Sequence, residues 1–152
     1  MHTNPTSGLL GRLLCVTIFL ALYATSLLFP AFHLANGKIT DSLLVLLMGW
    51  SAILGWQFAW IANPIAFMAV VFFLYGSFRN SLWFALLAAT VSLNTFTMIN
   101  EEVVLDESGT SARVTQLGEG AYFWLASMLF LLICCATYAW RARTVSKRAF
   151  SS

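Results

Sequence analysis

Charge is what this chain has least of. Only 9% of its 152 residues are Asp, Glu, Lys or Arg while 60% are hydrophobic, against a charged share of ~25% in soluble domains. A water-soluble fold of this size has too little polar surface at that composition to cover itself. Cysteine is scarce and unpatterned. Cys15, Cys134 and Cys135 all lie in apolar stretches, an odd number without the spacing of a zinc site or a disulfide framework. Adjacent side chains on a helix point apart, so Cys134 and Cys135 are read as small buried apolar residues rather than a bridge. The two histidines, His2 and His33, have no partner at ligand spacing. The doublets Glu101-Glu102 and Asp106-Glu107 lack the alternation of a calcium-binding loop, so no metal site is expected. No nucleophile, base and orienting group fall at one depth, which points away from an enzyme and from a bound cofactor. Arg141, Arg143, Lys147 and Arg148 follow the last apolar stretch. Beside a spanning helix such a patch reads as a stop-transfer and orientation signal, not as a nucleic-acid surface.

What the chain has in abundance is apolar sequence, in five blocks at about 9–32, 42–61, 64–78, 81–99 and 120–142. At ~1.5 Å per residue most can cross a hydrocarbon core of ~30 Å; the third, spanning only ~22 Å, must stand upright, thin the bilayer or stop short. The stretch from Leu13 to Phe32 follows Arg12 and lacks a small-x-small cleavage site, so it reads as a spanning helix rather than a signal peptide. The expected fold is therefore an all-α membrane protein, a five-helix transmembrane bundle forming a single polytopic domain.

The connections refine that picture. In Ala62-Asn63-Pro64 the asparagine can cap a new helix and the proline suits its first turn. Arg79-Asn80-Ser81 is a second tight link, so blocks two, three and four are expected as antiparallel neighbours. The only long loop runs over 100–119. Its strand-forming runs around 103–105 and 112–115 flank Glu107-Ser108-Gly109-Thr110 and suggest a short β-hairpin, which alone would be marginal and should pack on the helix ends or a partner.

Five crossings place the ends on opposite sides. A cytoplasmic C-terminus then gathers Lys38, Arg79, Arg141, Arg143, Lys147 and Arg148 inside and leaves Arg12 and Arg113 outside. That preference predicts the N-terminus outside, the basic tail 143–152 in the cytoplasm, and the acidic loop outside. Arg12 is its dissonant residue. Compact turns suggest a bacterial inner membrane. In this arrangement Cys15 and Cys134 differ in depth by more than ~10 Å and share no site.

Two features are candidates for function. Ser51, Gly55 and Ala59 recur every four residues and suit close helix packing, with Ala85/Ala89 and Ala88/Ser92 as a complementary surface. Gln57, Asn63, Asn94, Thr95 and Asn100 sit near the outer helix ends, where amides in hydrocarbon need partners. With Glu101 and Glu102 they form a candidate outer polar surface. The absence of a carboxylate, lysine or arginine at mid-membrane weighs against a proton-coupled transporter. The function expected is that of an accessory or partner-binding protein, a complex subunit, assembly factor or immunity-type protein, which contacts lipid and either another membrane protein or itself. The alternative is an oligomeric transporter or channel with an outward polar vestibule.

Overall fold

The computed structural model describes residues 5–50, 57–104 and 111–149. The chain is mostly helical, and three helical stretches, Gly8–Ser26, Phe78–Met98 and Glu119–Thr144, are long and apolar enough to cross a membrane. Helix α1 covers Pro5–Ser26. A hairpin of strands β1 (Pro30–Leu34) and β2 (Ile39–Asp41) follows, then a short helix α2 (Ser42–Met48). A 3-10 turn over Ala59–Ile61 feeds α3 (Ala62–Leu74), and α4 (Phe78–Ser92) runs on into a 3-10 stretch, Leu93–Met98. Strands β3 (Glu102–Val104) and β4 (Ser111–Leu117) lead into α5 (Glu119–Ala149).

Four helices run the length of the molecule. Helix α3 packs along α4, α4 along α5, and α5 along α1. The core is built from small residues next to large ones. Ala62, Ala66, Ala69 and Phe73 on one face of α3 are fully buried, and Ala85 and Ala88 of α4 are almost so. Small side chains let backbones approach closely where no hydrophobic effect drives helices together. Phe19, Met128 and Leu131 fill the remaining space. The outward faces carry Leu10, Leu14, Met68, Leu87, Leu129 and Ile133, all exposed.

Several expected boundaries shift, each for a local reason. Block one does not stay helical to Phe32. A residue preceding proline is biased away from the α region and proline lacks an N–H, so the chain leaves the helix at Ser26 and Pro30 begins β1. Asn63 is not a cap. The 3-10 turn supplies the Ile61 and Ala62 hydrogen bonds at the helix start, which frees the Asn63 side chain for a tertiary contact. Arg79-Asn80-Ser81 is not a link but the first turn of α4. The link is Tyr75–Ser77, where Gly76 takes φ +80° and the Ser77 N–H closes back on the Phe72 carbonyl.

The fold is also not all-α. The four strands join in the order β2-β1-β4-β3, antiparallel throughout. The expected hairpin is there, Val103 facing Ala112 and Glu102 facing Arg113; its turn, 105–110, lies outside the described residues. It is stabilised by a strand that reads as helix in the sequence. In β1, Phe32 faces Leu117 and Leu34 faces Val114. The β1–β2 turn uses Asn36-Gly37. Gly37 sits at φ +77°, and the Lys38 N–H donates to Asn36 Oδ1. On the inner face, Ala31, Phe32, Leu34, Ala112, Val114, Leu117 and Ala121 make a small second core.

The sheet, α2 and both 3-10 turns cap one end of the bundle. Of block two, the described parts are α2 and the 3-10 turn Ala59–Ile61, both at this cap, while residues 51–56 lie outside the described residues. The Ser42 hydroxyl donates to the Phe29 carbonyl (2.7 Å) and the Trp60 indole to the Leu46 carbonyl (2.7 Å). The described start of α1 and the later turns of α5 lie at one end of the bundle. Gly11 of α1 lies against Tyr138 of α5, and Gly120 at the start of α5 lies against the Ser26 and Phe29 carbonyls. Helices α1 and α5 are antiparallel, with the N-terminal end of one beside the C-terminal end of the other.

Candidate functional site

The polar side chains singled out from the sequence separate into three groups. Gln57, Asn94 and Thr97 form one network. Asn94 Oδ1 accepts the Phe58 N–H (2.8 Å), its amide donates to Thr97 Oγ1 (3.3 Å), and the Thr97 hydroxyl lies 3.2 Å from Gln57 Oε1. These contacts tie the start of the 3-10 turn before α3 to the end of α4, so the amides are satisfied by each other. Asn63 and Trp124 form a second pair, with the indole N–H donating to Asn63 Oδ1 at 2.8 Å. Both lie at least partly out of water, where an unmade hydrogen bond costs about 1–3 kcal/mol. Asn100, Glu101 and Glu102 form the third group, at the rim. Asn100 is a turn residue at φ +74°, and its N–H and the Glu101 carbonyl continue the ladder to Val114. Glu102 accepts from the Ser111 hydroxyl (3.2 Å), and both carboxylates face solvent. Opposite them in the sheet, His33 Nε2 lies 3.7 Å from Glu119 Oε2. A carboxylate in the first turn of α5 also complements the helix dipole. His33 thus sits at the cap, with an acidic partner 86 residues along the chain.

Ser51 and Gly55 of the small-residue stripe lie outside the described residues. Ala59 is not on a packing face between long helices; it stands in the 3-10 turn and lines a cavity. The close-packed small residues are those of α3 and α4, where Ala62-x3-Ala66 was present in the sequence as a signal of the same kind.

A cavity at the cap has a volume of about 100 Å³. Its floor is the end of the helix bundle, with Tyr23, Leu27 and Trp124; its roof is Ala31 and Phe32 of β1 and Val45 and Leu46 of α2. Gln57, Asn63 and Thr95 reach its wall from the loops and turns around α3 and α4. Among the described residues, no Asp, Glu, Lys, Arg or His lines it.

The thiols correct a second expectation. Cys15 and Cys134 are near enough to interact electrostatically, and Cys135 Sγ lies 2.8 Å from the Ser81 hydroxyl. The large depth difference followed from threading five crossings; with α1 and α5 antiparallel and in register at Gly11–Tyr138, the two cysteines fall at one level. Among the described residues no group of three His, Cys, Asp or Glu side chains is placed to hold a metal ion.

At the opposite end, Arg12 donates to the Leu74 carbonyl (2.8 Å), the exposed C-terminus of α3, and stacks over Phe78. That guanidinium caps a helix end, joins α1 to the α3–α4 turn, and lies near the level of Arg79. Tyr138 is wedged between Phe73 and Phe78, while Tyr75, Trp83 and Trp140 remain exposed. Of the cap tryptophans, Trp60 and Trp124 face inward to the cavity, and Trp56 is outside the described residues. Comparison of the chain with protein-family models, with curated proteins and with solved structures finds no match.

Proposed function

We propose that this is a bacterial inner-membrane protein with four crossings and both termini in the cytoplasm, acting as an accessory subunit that presents its extracytoplasmic cap to a partner. The orientation rests on the cations. With α1 and α5 antiparallel, Arg12, Arg79, Arg141, Arg143, Lys147 and Arg148 gather at one end, and Lys38 and Arg113 at the other. The six-to-two division is the same as for five crossings, but Arg12 and Lys38 have changed places, and Arg12 is no longer out of keeping with the positive-inside rule. The fourth helix is short: the 16 residues Ala59–Leu74 reach ~24 Å, so α3 crosses upright or under a thinned bilayer.

The observation that carries the accessory reading is the division of labour along the bundle. Its middle is closed by Phe19, Phe73, Met128 and Leu131, with no charged side chain among the buried residues described. Everything beyond plain helix is gathered at the cap: two strand edges, β2 and β3, the rim carboxylates Glu101 and Glu102, and the apolar helix α2. An unpaired strand edge is a ready surface for another chain. A photo-crosslinking residue at Thr40 or Glu102, in the native membrane, should capture a discrete protein that the same residue at lipid-facing Leu87 does not. Ligand-dependent solute flux in proteoliposomes of the purified protein, without capture from the cap, would instead establish the transporter reading.

A further inference from the structure

The cap cavity combines an apolar wall with polar groups that have no work within the protein. Thr95 is 4% exposed and its hydroxyl makes no hydrogen bond with the described residues. Asn63 is 7% exposed; its Oδ1 is held by Trp124, while its amide N–H2 is uncommitted. Tyr23, also 7% exposed, likewise leaves its phenol O–H unpaired among them. Among the described residues no fully enclosed side-chain nitrogen or oxygen is left without a partner, so the uncommitted atoms of Thr95 and Asn63 lie on accessible wall, and for residues this buried that wall is the cavity. An apolar pocket with a few convergent polar groups is the usual form of a small-molecule site.

From this we infer that the cavity is a binding site for a neutral, carbonyl-bearing lipophile of the membrane. The chemistry follows from the wall. The Asn63 amide N–H2 can only donate and the Thr95 and Tyr23 hydroxyls can donate beside it, an arrangement matched by acceptor oxygens on the ligand. Among the described residues the wall carries no carboxylate, ammonium, guanidinium or imidazole, which disfavours a charged head group, whose burial without a counter-charge is costly. Size limits what enters. An apolar cavity of ~150 Å³ admits benzene, and this one, at about 100 Å³, takes a carbonyl group with the few carbons beside it. The rest of a longer molecule would leave past the half-buried part of the lining, which includes Leu46 of α2 and Trp60. Leu43, Leu44, Leu47 and Met48 on the outer side of α2 are exposed and apolar, so a lipophile at that mouth remains in an apolar setting. This inference is independent of the accessory role and fails or stands separately from it.

Two sources share this chemistry, one carbonyl edge of a quinone and an ester carbonyl of a diacylglycerol. The full chain in nanodiscs should be titrated with decyl-benzoquinone and, in parallel, with dioctanoylglycerol, reading tryptophan fluorescence, since Trp60 and Trp124 line the cavity. One probe should give a saturable change with the parent protein, and which one does so identifies the source. Thr95→Val keeps the side-chain shape and breaks no hydrogen bond within the described structure; it should weaken that response about tenfold, the loss of roughly one hydrogen bond to ligand. Ala59→Phe, which fills the cavity, should abolish it, with circular dichroism and gel filtration confirming the fold of each variant. Saturation by neither probe with folded parent protein, or a response unchanged by both substitutions, would overturn the inference.

Discussion

Replacing Gly120 with alanine tests whether α5 starts where the cap requires it. The first turn of α5 passes directly over the end of α1. A Cβ on Gly120 would stand 2.5 Å from the Phe29 carbonyl oxygen and 2.7 Å from that of Ser26, where ordinary contact begins at 3.4 Å. The helix would have to retreat by the difference, about 0.7–0.9 Å. The nearest atom, the Ser42 hydroxyl oxygen, can rotate away, but the two carbonyl oxygens are backbone and no rotamer change relieves their clash. Retreat also disturbs the Ser42 hydroxyl, which donates to the same Phe29 carbonyl. Overpacking of this kind costs about 1–3 kcal/mol, and loss of the Ser42 bond adds about 1 kcal/mol. The better helix propensity of alanine returns at most ~1 kcal/mol. A net loss of some 2–3 kcal/mol corresponds to a fall in Tm on the order of 10 °C for a chain of this length. Thermal unfolding followed by circular dichroism in a mild detergent reads it. Gly8→Ala is the control, because nothing stands within 4 Å of its Cβ position, and its Tm should match the parent or rise slightly. A Gly120→Ala protein as stable as the parent would refute the crossing of α5 over the α1–β1 corner, and with it the placement of β1 beside β4.

Other consequences are as direct. Ala66→Leu should lower folded yield and Tm, because Ala66 is fully buried in the α3 face packed on α4; Val71→Leu, on an exposed position of the same helix, should be neutral, and equal behaviour of the two would show that this face does not pack. Trp124→Phe leaves Asn63 Oδ1 without its donor and should destabilise by about 1–3 kcal/mol in chemical denaturation; an unchanged midpoint would mean the amide had another partner. Reporter fusions near the N-terminus and after Ser152 should give the same signal, opposite to a fusion within Ser108–Gly109; opposite signals from the two termini would restore an odd number of crossings. With Cys135 replaced by serine, a membrane-permeant oxidant should form a Cys15–Cys134 disulfide within one chain; recovery of both thiols free after exhaustive oxidation of the folded protein would separate the helices.

The sequence by itself determined the apolar, mostly helical character of the chain. Where 60% of residues are hydrophobic and charges are confined to segment ends, the preference for hydrocarbon is a sum over many side chains and needs no knowledge of packing. The helical character of α1, α4 and α5 and the strands of the loop hairpin were legible for the same reason, since each depends on local composition and period. The polar character of Gln57, Asn94 and Asn100 was also legible, though not which group each would meet. Tertiary structure decided the rest. Apolar runs do not announce whether they stay helical, and Pro30 to Leu34 became a strand because β4, some 80 residues later, offered the ladder that its backbone groups needed. Pro30 and Asn36-Gly37 were the local signs of that turn. Block two reads as a crossing by length alone, yet its described flanks are held at the cap by Ser42 to Phe29, Trp60 to Leu46 and Phe58 to Asn94, contacts distant in sequence. The antiparallel packing of α1 against α5 brings Arg12 to the end of the bundle that holds Arg79 and Arg141 and sets Cys15 at the level of Cys134. Periodicity and hydropathy act residue by residue; direction, register and enclosed space are properties of segments already packed together.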